Sequence, residues 1–264
     1  MFERYGVTFE NPNYLAAFLM FAVVMSASLV LNSRLHLLLK MILIASSVVI
    51  FVALMGTFSR AAWLATCFAL LLVTLFSKHR NAILIIGSVV AILTIVVMWN
   101  SAFVQSAVMR VSSVADATGD PSNSTRIFLI KGGLEMCADS YFLGVGARGF
   151  PIVYTKMYRP STQPLFDVVE SHTLPIEILA EFGIIGLLLF GVVAYRYFRF
   201  GFRSIREMQH DLLRACQIGL VAGMAGFFVN SLFGPGSLTG NVLYIGFALT
   251  FATELIAKKT APAE

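Results

Sequence analysis

Charge is scarce in this chain. Asp, Glu, Lys and Arg make up 12% of the 264 residues and hydrophobic residues 58%, whereas roughly a quarter of a soluble domain is charged. With a mean hydropathy of +0.83, an ordinary soluble fold is excluded and the chain reads as a polytopic membrane protein. Cysteine is equally thin: Cys67 and Cys216 fall inside apolar runs and Cys137 in a polar segment, which gives neither a disulfide framework nor metal-ligand spacing. No repeat of fixed period and no low-complexity run appears. The apolar runs are continuous and not alternating, which argues against a membrane barrel. Met1-Phe2-Glu3-Arg4 sets an acid against a base, and polar residues follow where an apolar core should begin, so this is not a secretory signal peptide.

What is present is a series of apolar runs of membrane-spanning length. A span needs about 20 largely apolar residues, which predicts about seven spans, near 14–31, 37–55, 61–76, 82–99, 174–195, 213–232 and 242–256. The predicted fold is all-α, a transmembrane helical bundle forming one domain over 1–264. Its long extracytoplasmic loop, 100–173, is predicted to contain short helices. The net charge of +5 comes from bases that punctuate these runs, a topology signal and not a nucleic-acid patch. Arg34 and Lys40, Lys78 and Arg80, Arg196 to Arg214, then Lys258 and Lys259 mark alternate joins as cytoplasmic by the positive-inside rule. The 100–173 loop then faces outward, as does Met1–Asn13. With no signal to export that tail, the expectation is that further spans precede this chain in a longer protein, or that a short tail is translocated.

A loop of that length between two spans is normally functional. Ser112–Ser124 reads as a turn region. Thr125–Asp139 reads as an amphipathic helix on the membrane surface, with Ile127, Ile130, Leu134 and Cys137 on its apolar stripe. Asp139–Phe150 reads as a Gly-rich turn. The loop ends at Glu170-Ser171-His172-Thr173-Leu174-Pro175, where Pro175 suits the first turn of a helix and Glu177 lies near its positive end. His172 would sit just before that helix, an environment that favours neutral imidazole, the form a general base needs.

Several signals have bland readings. Gly144-Val145-Gly146-Ala147-Arg148-Gly149 resembles a dinucleotide fingerprint but lacks the strand and helix that motif requires. Asn123-Ser124-Thr125 fits a glycosylation acceptor by chance. Arg60, before Trp63 at an outer helix boundary, is either an interfacial anchor or an arginine aimed at an anionic headgroup, whose phosphate oxygens a guanidinium grips in pairs. Arg126 and Arg148 are either solvated loop charges or part of the same site. Glu177 and Glu181 are four apart on one helix face in the outer half of the fifth span, and intramembrane carboxylates are costly. Glu181 is expected to orient a partner such as an arginine. Neither has a metal-ligand companion.

In order along the chain, Thr8-Phe9-Glu10-Asn11-Pro12-Asn13-Tyr14-Leu15-Ala16, Thr57-Phe58-Ser59-Arg60-Ala61-Ala62-Trp63, Ser124-Thr125-Arg126, Gly144-Val145-Gly146, Ser171-His172-Thr173 and Glu181-Phe182-Gly183-Ile184-Ile185-Gly186 make the chain resemble the O-antigen ligase and polymerase superfamily of bacterial envelope glycosyltransferases. The resemblance covers nearly the whole chain. It implies a metal-independent, inverting transfer of a glycan from an undecaprenyl-diphosphate carrier to an acceptor hydroxyl, at the outer face of the bacterial inner membrane and with no cofactor. Arg60 and Arg126 match the arginines that hold the donor diphosphate, His172 matches the catalytic histidine, and Arg148 and Glu181 are supporting candidates. The acceptor is a lipid or glycan. The alternatives are a polymerase, whose acceptor is a second lipid-linked repeat, and a non-catalytic envelope-lipid transporter or scaffold. Members have about a dozen spans, more than this length allows, so the expectation from the resemblance is that early spans and part of the lipid groove lie upstream. The enzymatic reading expects Arg60, Arg126 and His172 to converge at one outer rim.

Overall fold

A computed structural model describes residues 12–77, 121–160, 171–234 and 241–260. Among them every regular element is helical: α1 Pro12–Asn32, α2 Leu37–Gly56, α3 Arg60–Leu75, α4 Pro121–Asp139, α5 Gly149–Val153 running into a π-turn over Tyr154–Tyr158, α6 Leu174–Glu207, α7 Asp211–Phe233 and α8 Asn241–Thr260. Five of these (α1, α2, α6, α7 and α8) are long and apolar enough to cross a membrane, and α3 is a shorter apolar helix. The expected span 82–99 lies outside the described residues. Two compact units are distinguished: one holds residues 1–111, 198–227 and 241–264, the other 112–197 and 228–240.

In the first unit α1 packs on both α2 and α3. The face of α2 carrying Leu38, Met41, Val48, Val49 and Val52 is exposed, as a helix in contact with lipid must be. Small residues let helix backbones approach closely in a membrane. Gly226 of α7 accordingly sits over Ala65 and Ala69 of α3, and Gly223 over Phe21 of α1. The Ser28 hydroxyl of α1 donates to the Ala215 carbonyl of α7 at 2.7 Å.

The basic joins of this unit gather at one end. Arg34, after α1, pairs with Asp211 at the start of α7 at 2.8 Å. Phe76, after α3, stacks on Phe202 near the end of α6, with ring centroids 5.8 Å apart. The last turn of α8 shares a cavity with the end of α6, lined by Ser204, Glu207, His210, Glu254 and Lys258.

Two expectations are corrected here. The join expected at 196–212 is mostly helix, since α6 continues to Glu207. Arginine is a good helix former, and the Arg203–Glu207 pair at 2.7 Å supports the extension at i,i+4 spacing. Likewise α4 starts at Pro121, inside the expected turn region, and proline is favoured at the first helical position.

The buried face of α4 differs from its expected apolar stripe. Ile127 and Leu134, of the stripe expected to lie on the membrane surface, are exposed, while Leu129, Gly132, Gly133, Met136 and Cys137 are buried. That set recurs at helical spacing. A methyl group at Gly132 would run into the Tyr154 ring, and one at Gly133 into Ile176 and Phe150. The glycine pair is therefore the contact surface, and Leu129, Met136, Phe150, Tyr154 and Ala180 form the core around it.

Candidate active site

The turn before α6 is built by two side chains, those of Ser171 and Glu177, and by the backbone of Thr173. Thr173 opens the helix, its carbonyl accepting from the Ile176 and Glu177 amides at 3.0 and 3.1 Å. The Ser171 hydroxyl accepts from the Thr173 amide at 3.1 Å. The buried carboxylate of Glu177, 8% exposed, reaches back and accepts from the Ser171 amide at 3.1 Å, with the Ser171 hydroxyl 3.3 Å away. Between these fixed neighbours His172 has φ of 56°, a left-handed conformation that bulky residues adopt at a cost. Its side chain is half-buried.

Helix α4 runs parallel to α6. Gly133 packs against Ile176 and Ala180, and further along the Ile184 amide donates to the Phe142 carbonyl at 3.1 Å. Arg126 lies seven residues before Gly133, on the same helix face and about 10 Å back along the axis. Arg126 is half-buried.

Below that turn α6 is interrupted. Gly183 has φ 67° and ψ −167°, a region open essentially to glycine alone, and any side chain there would collide with the Phe142 carbonyl. Gly144, at φ 86°, sits against the Glu181 carbonyl. The interruption frees carbonyls of α6, and the loop supplies donors for them: Val145 to Ala180 and Gly146 to Glu181, both 2.9 Å. The Glu181 carboxylate accepts from the Phe150 amide at 3.2 Å, so its partner is a backbone donor beside Arg148, not the arginine expected. Arg148 itself is exposed, with φ 58°.

Arg60 belongs to the first unit and is the first residue of α3. The turn before it is held by the Thr57 hydroxyl, which donates to Leu54 at 2.7 Å, and by the Trp63 indole, which donates to the same carbonyl at 3.3 Å. Arg126, Arg148, His172 and Glu181 all belong to the second unit. No group of His, Cys, Asp and Glu that could hold a metal ion occurs among the described residues.

A family model for O-antigen ligases matches residues 45–191. The chain belongs to the O-antigen ligase family. No curated protein matches it. The matched stretch contains Arg60, Arg126, Arg148, His172 and Glu181, and it ends within α6. With five helices of crossing length, this O-antigen ligase family member is a multi-pass membrane protein. Two of the stretches that carried the resemblance, Gly144-Val145-Gly146 and Glu181-Phe182-Gly183, prove to be hydrogen-bonded to each other through the Gly146 amide and the Glu181 carbonyl.

One residue that sequence reasoning undervalued is Glu177. Read as an interfacial helix-start acid, it instead fixes the His172 turn from one and a half helical turns away. The available signal was a serine six residues before a glutamate across a helix start. Such an acid can satisfy the free amides that precede a helix, much as in a capping box.

Proposed function

We propose that this chain is a glycosyltransferase that moves a glycan from an undecaprenyl-diphosphate carrier to an acceptor hydroxyl, with inversion and without a metal ion. The acceptor oxygen attacks the anomeric carbon as the bond from that carbon to the diphosphate oxygen breaks. The hydroxyl proton passes to the His172 imidazole, and the departing lipid diphosphate carries away the bonding electrons. Arg60 and Arg126 hold that diphosphate and neutralise the charge it gains, each guanidinium offering paired N–H donors to phosphate oxygens. Glu177 and Ser171 keep His172 in place, and Glu181 keeps the Arg148–Phe150 backbone against α6.

The observation that supports this reading best is that α4, which carries Arg126, packs through Gly133 on the start of α6, just after His172, in a chain of the O-antigen ligase family. The basic joins gathered at one end of the first unit mark that end as cytoplasmic by the positive-inside rule. By the same rule applied to the sequence alone, the 100–173 loop faces outward from a bacterial inner membrane. A transporter reading is disfavoured by the break in α6. Broken helices bind ions through freed carbonyls, but those of Ala180 and Glu181 already accept from loop amides.

The test is reconstitution of the full chain in liposomes with a defined lipid-linked donor and a separate acceptor. One transfer to the acceptor is expected, with none from His172→Ala and less from Arg60→Lys, whose point charge lacks the fork. A ladder of donor repeats would identify a polymerase instead. Normal product from His172→Ala with the protein inserted would overturn the catalytic assignment.

A further inference from the structure

Tyr141 and Phe142 are consecutive aromatic residues in the left-handed region, with φ of 54° and 63°. Their side chains nevertheless stand 85% and 56% exposed, and that of the next residue, Leu143, 69%. A bulky residue in this conformation costs about 1–2 kcal/mol, and leaving large apolar groups in water is a further cost. The backbone is well tied. The Phe142 amide donates to Cys137 at 2.9 Å, Leu143 to Ser140 at 3.0 Å, and the Phe142 carbonyl accepts from Ile184. The Gly144 amide donates to the Ser140 hydroxyl at 3.0 Å. A turn this firmly held presents three apolar side chains to something outside the protein.

What lies beside them is set by the bond to Ile184. Burial along α6 changes at the break: Leu174, Glu177, Ile178, Ala180 and Glu181 are buried, whereas Ile184, Ile185, Leu188, Leu189, Val192 and Val193 are exposed. Counting from Ile184, 19 residues reach Arg203, about 28 Å at the helical rise. That is close to the thickness of the hydrocarbon core, about 30 Å. Arg196 and Arg199 lie within the last turns of that length, where arginine snorkels to the surface. The bilayer therefore begins at the level of Gly183, and the 141–143 turn sits at that plane, continuous with the lipid-facing stripe of α6.

We propose that Tyr141, Phe142 and Leu143 form a foot that inserts into the boundary between headgroups and acyl chains, in the leaflet opposite Arg196 and Arg199 of α6. The partner is the phospholipid bilayer itself. The foot sets the height of the α4–α6 rim, with Arg126 and His172, above the membrane. It requires that α6 crosses the bilayer and does not depend on glycosyl transfer, so it can fail while the enzymatic reading stands.

The experiment places a tryptophan in the foot, as Leu143→Trp and separately as Tyr141→Trp. The full chain is reconstituted in phospholipid vesicles, and the emission added over the parent protein is followed. Both positions are solvent-facing within the protein, so neither substitution disturbs its core. Lipid brominated near the headgroup end of its chains should quench the added emission several-fold more than lipid brominated near the chain termini, and acrylamide in the water should quench it weakly. Strong acrylamide quenching with no bromine effect would show a water-facing turn and overturn the proposal. Emission shielded from both quenchers would show the turn covered by protein, such as a second copy of the chain, and would overturn it equally.

Discussion

Replacing Glu177 with alanine tests whether the His172 turn is held from below. In the intact turn the carboxylate accepts from the Ser171 amide at 3.1 Å, with the Ser171 hydroxyl 3.3 Å away, and Ser171 is fully buried. Hydrogen bonds to a charged acceptor contribute about 1.5–3 kcal/mol each. The strain they oppose, a left-handed histidine, is about 1–2 kcal/mol. Without them the turn relaxes toward right-handed backbone, and its native conformation loses a factor of about 5–30 in population. With His172 as the proposed base, the loss is expected in kcat at saturating lipid-linked donor, with the donor KM little changed. Glu177→Gln keeps an oxygen acceptor in the same place and should retain most of the rate. The assay is the initial rate of transfer in proteoliposomes, alongside a check that each variant inserts and melts near the parent temperature. Full activity in Glu177→Ala would refute the reasoning. So would a Gln variant as impaired as the Ala variant, since that would point to charge and not to position.

Other consequences are open to measurement. Gly183→Ala forces a side chain against the Phe142 carbonyl and should lower stability by about 2–4 kcal/mol, from strain together with the lost Ile184 bond. Gly191→Ala, in open space on the same helix, should raise stability by up to about 1 kcal/mol; thermal midpoints of the two variants that moved in the same direction would contradict this. Gln217 is fully buried in α7 with neither amide atom hydrogen-bonded among the described residues. Gln217→Leu should therefore raise the melting temperature, by relief of about 1–3 kcal/mol. The Tyr158 hydroxyl donates to Asp139 at 2.7 Å, and that bond, with burial and the charges of Asp139 and Glu135, pushes the phenol above its usual range. A raised value means that the contribution is complete below the ordinary phenol pKa and fades as pH rises through the shifted one. The stability difference between parent and Tyr158→Phe should thus stay constant up to about pH 9 and shrink above about pH 10.

Hydropathy located α1, α2, α7 and α8 to within a few residues because in each the apolar run and the helix end together. It failed where they do not. The arginines after Tyr195 end the apolar run but not the helix, so α6 outran its expected boundary. On α4 the face packed on protein went unread because Gly132 and Gly133 carry no apolar side chain and count for nothing in a hydrophobic stripe, although they are the surface on which Tyr154 and Ile176 pack. In the candidate site, the Ser171-His172-Thr173 helix start was legible from local chemistry alone. The clasp of Gly144 on Glu181 and of Phe142 on Gly183 was not, because it joins residues about 40 apart through backbone atoms that every sequence possesses.

The deeper reason concerns what apolar residues report. A helix segment packed inside protein and one bathed in lipid have the same composition, so Leu174–Tyr195 reads as one span. On that reading Glu177 and Glu181 are carboxylates inside the membrane, a costly placement that asks for an ionic partner. Burial divides the segment at Gly183: the part carrying both glutamates is enclosed by α4 and α5, and the part facing lipid carries no acid at all. The glutamates are buried in protein and not in hydrocarbon, and their oxygens accept from the Ser171 and Phe150 amides, donors that are available only where chain folds back over chain. Their apparent cost in the sequence is thus a sign of a covering segment, and that segment is α4 with the turn and short helix that follow it.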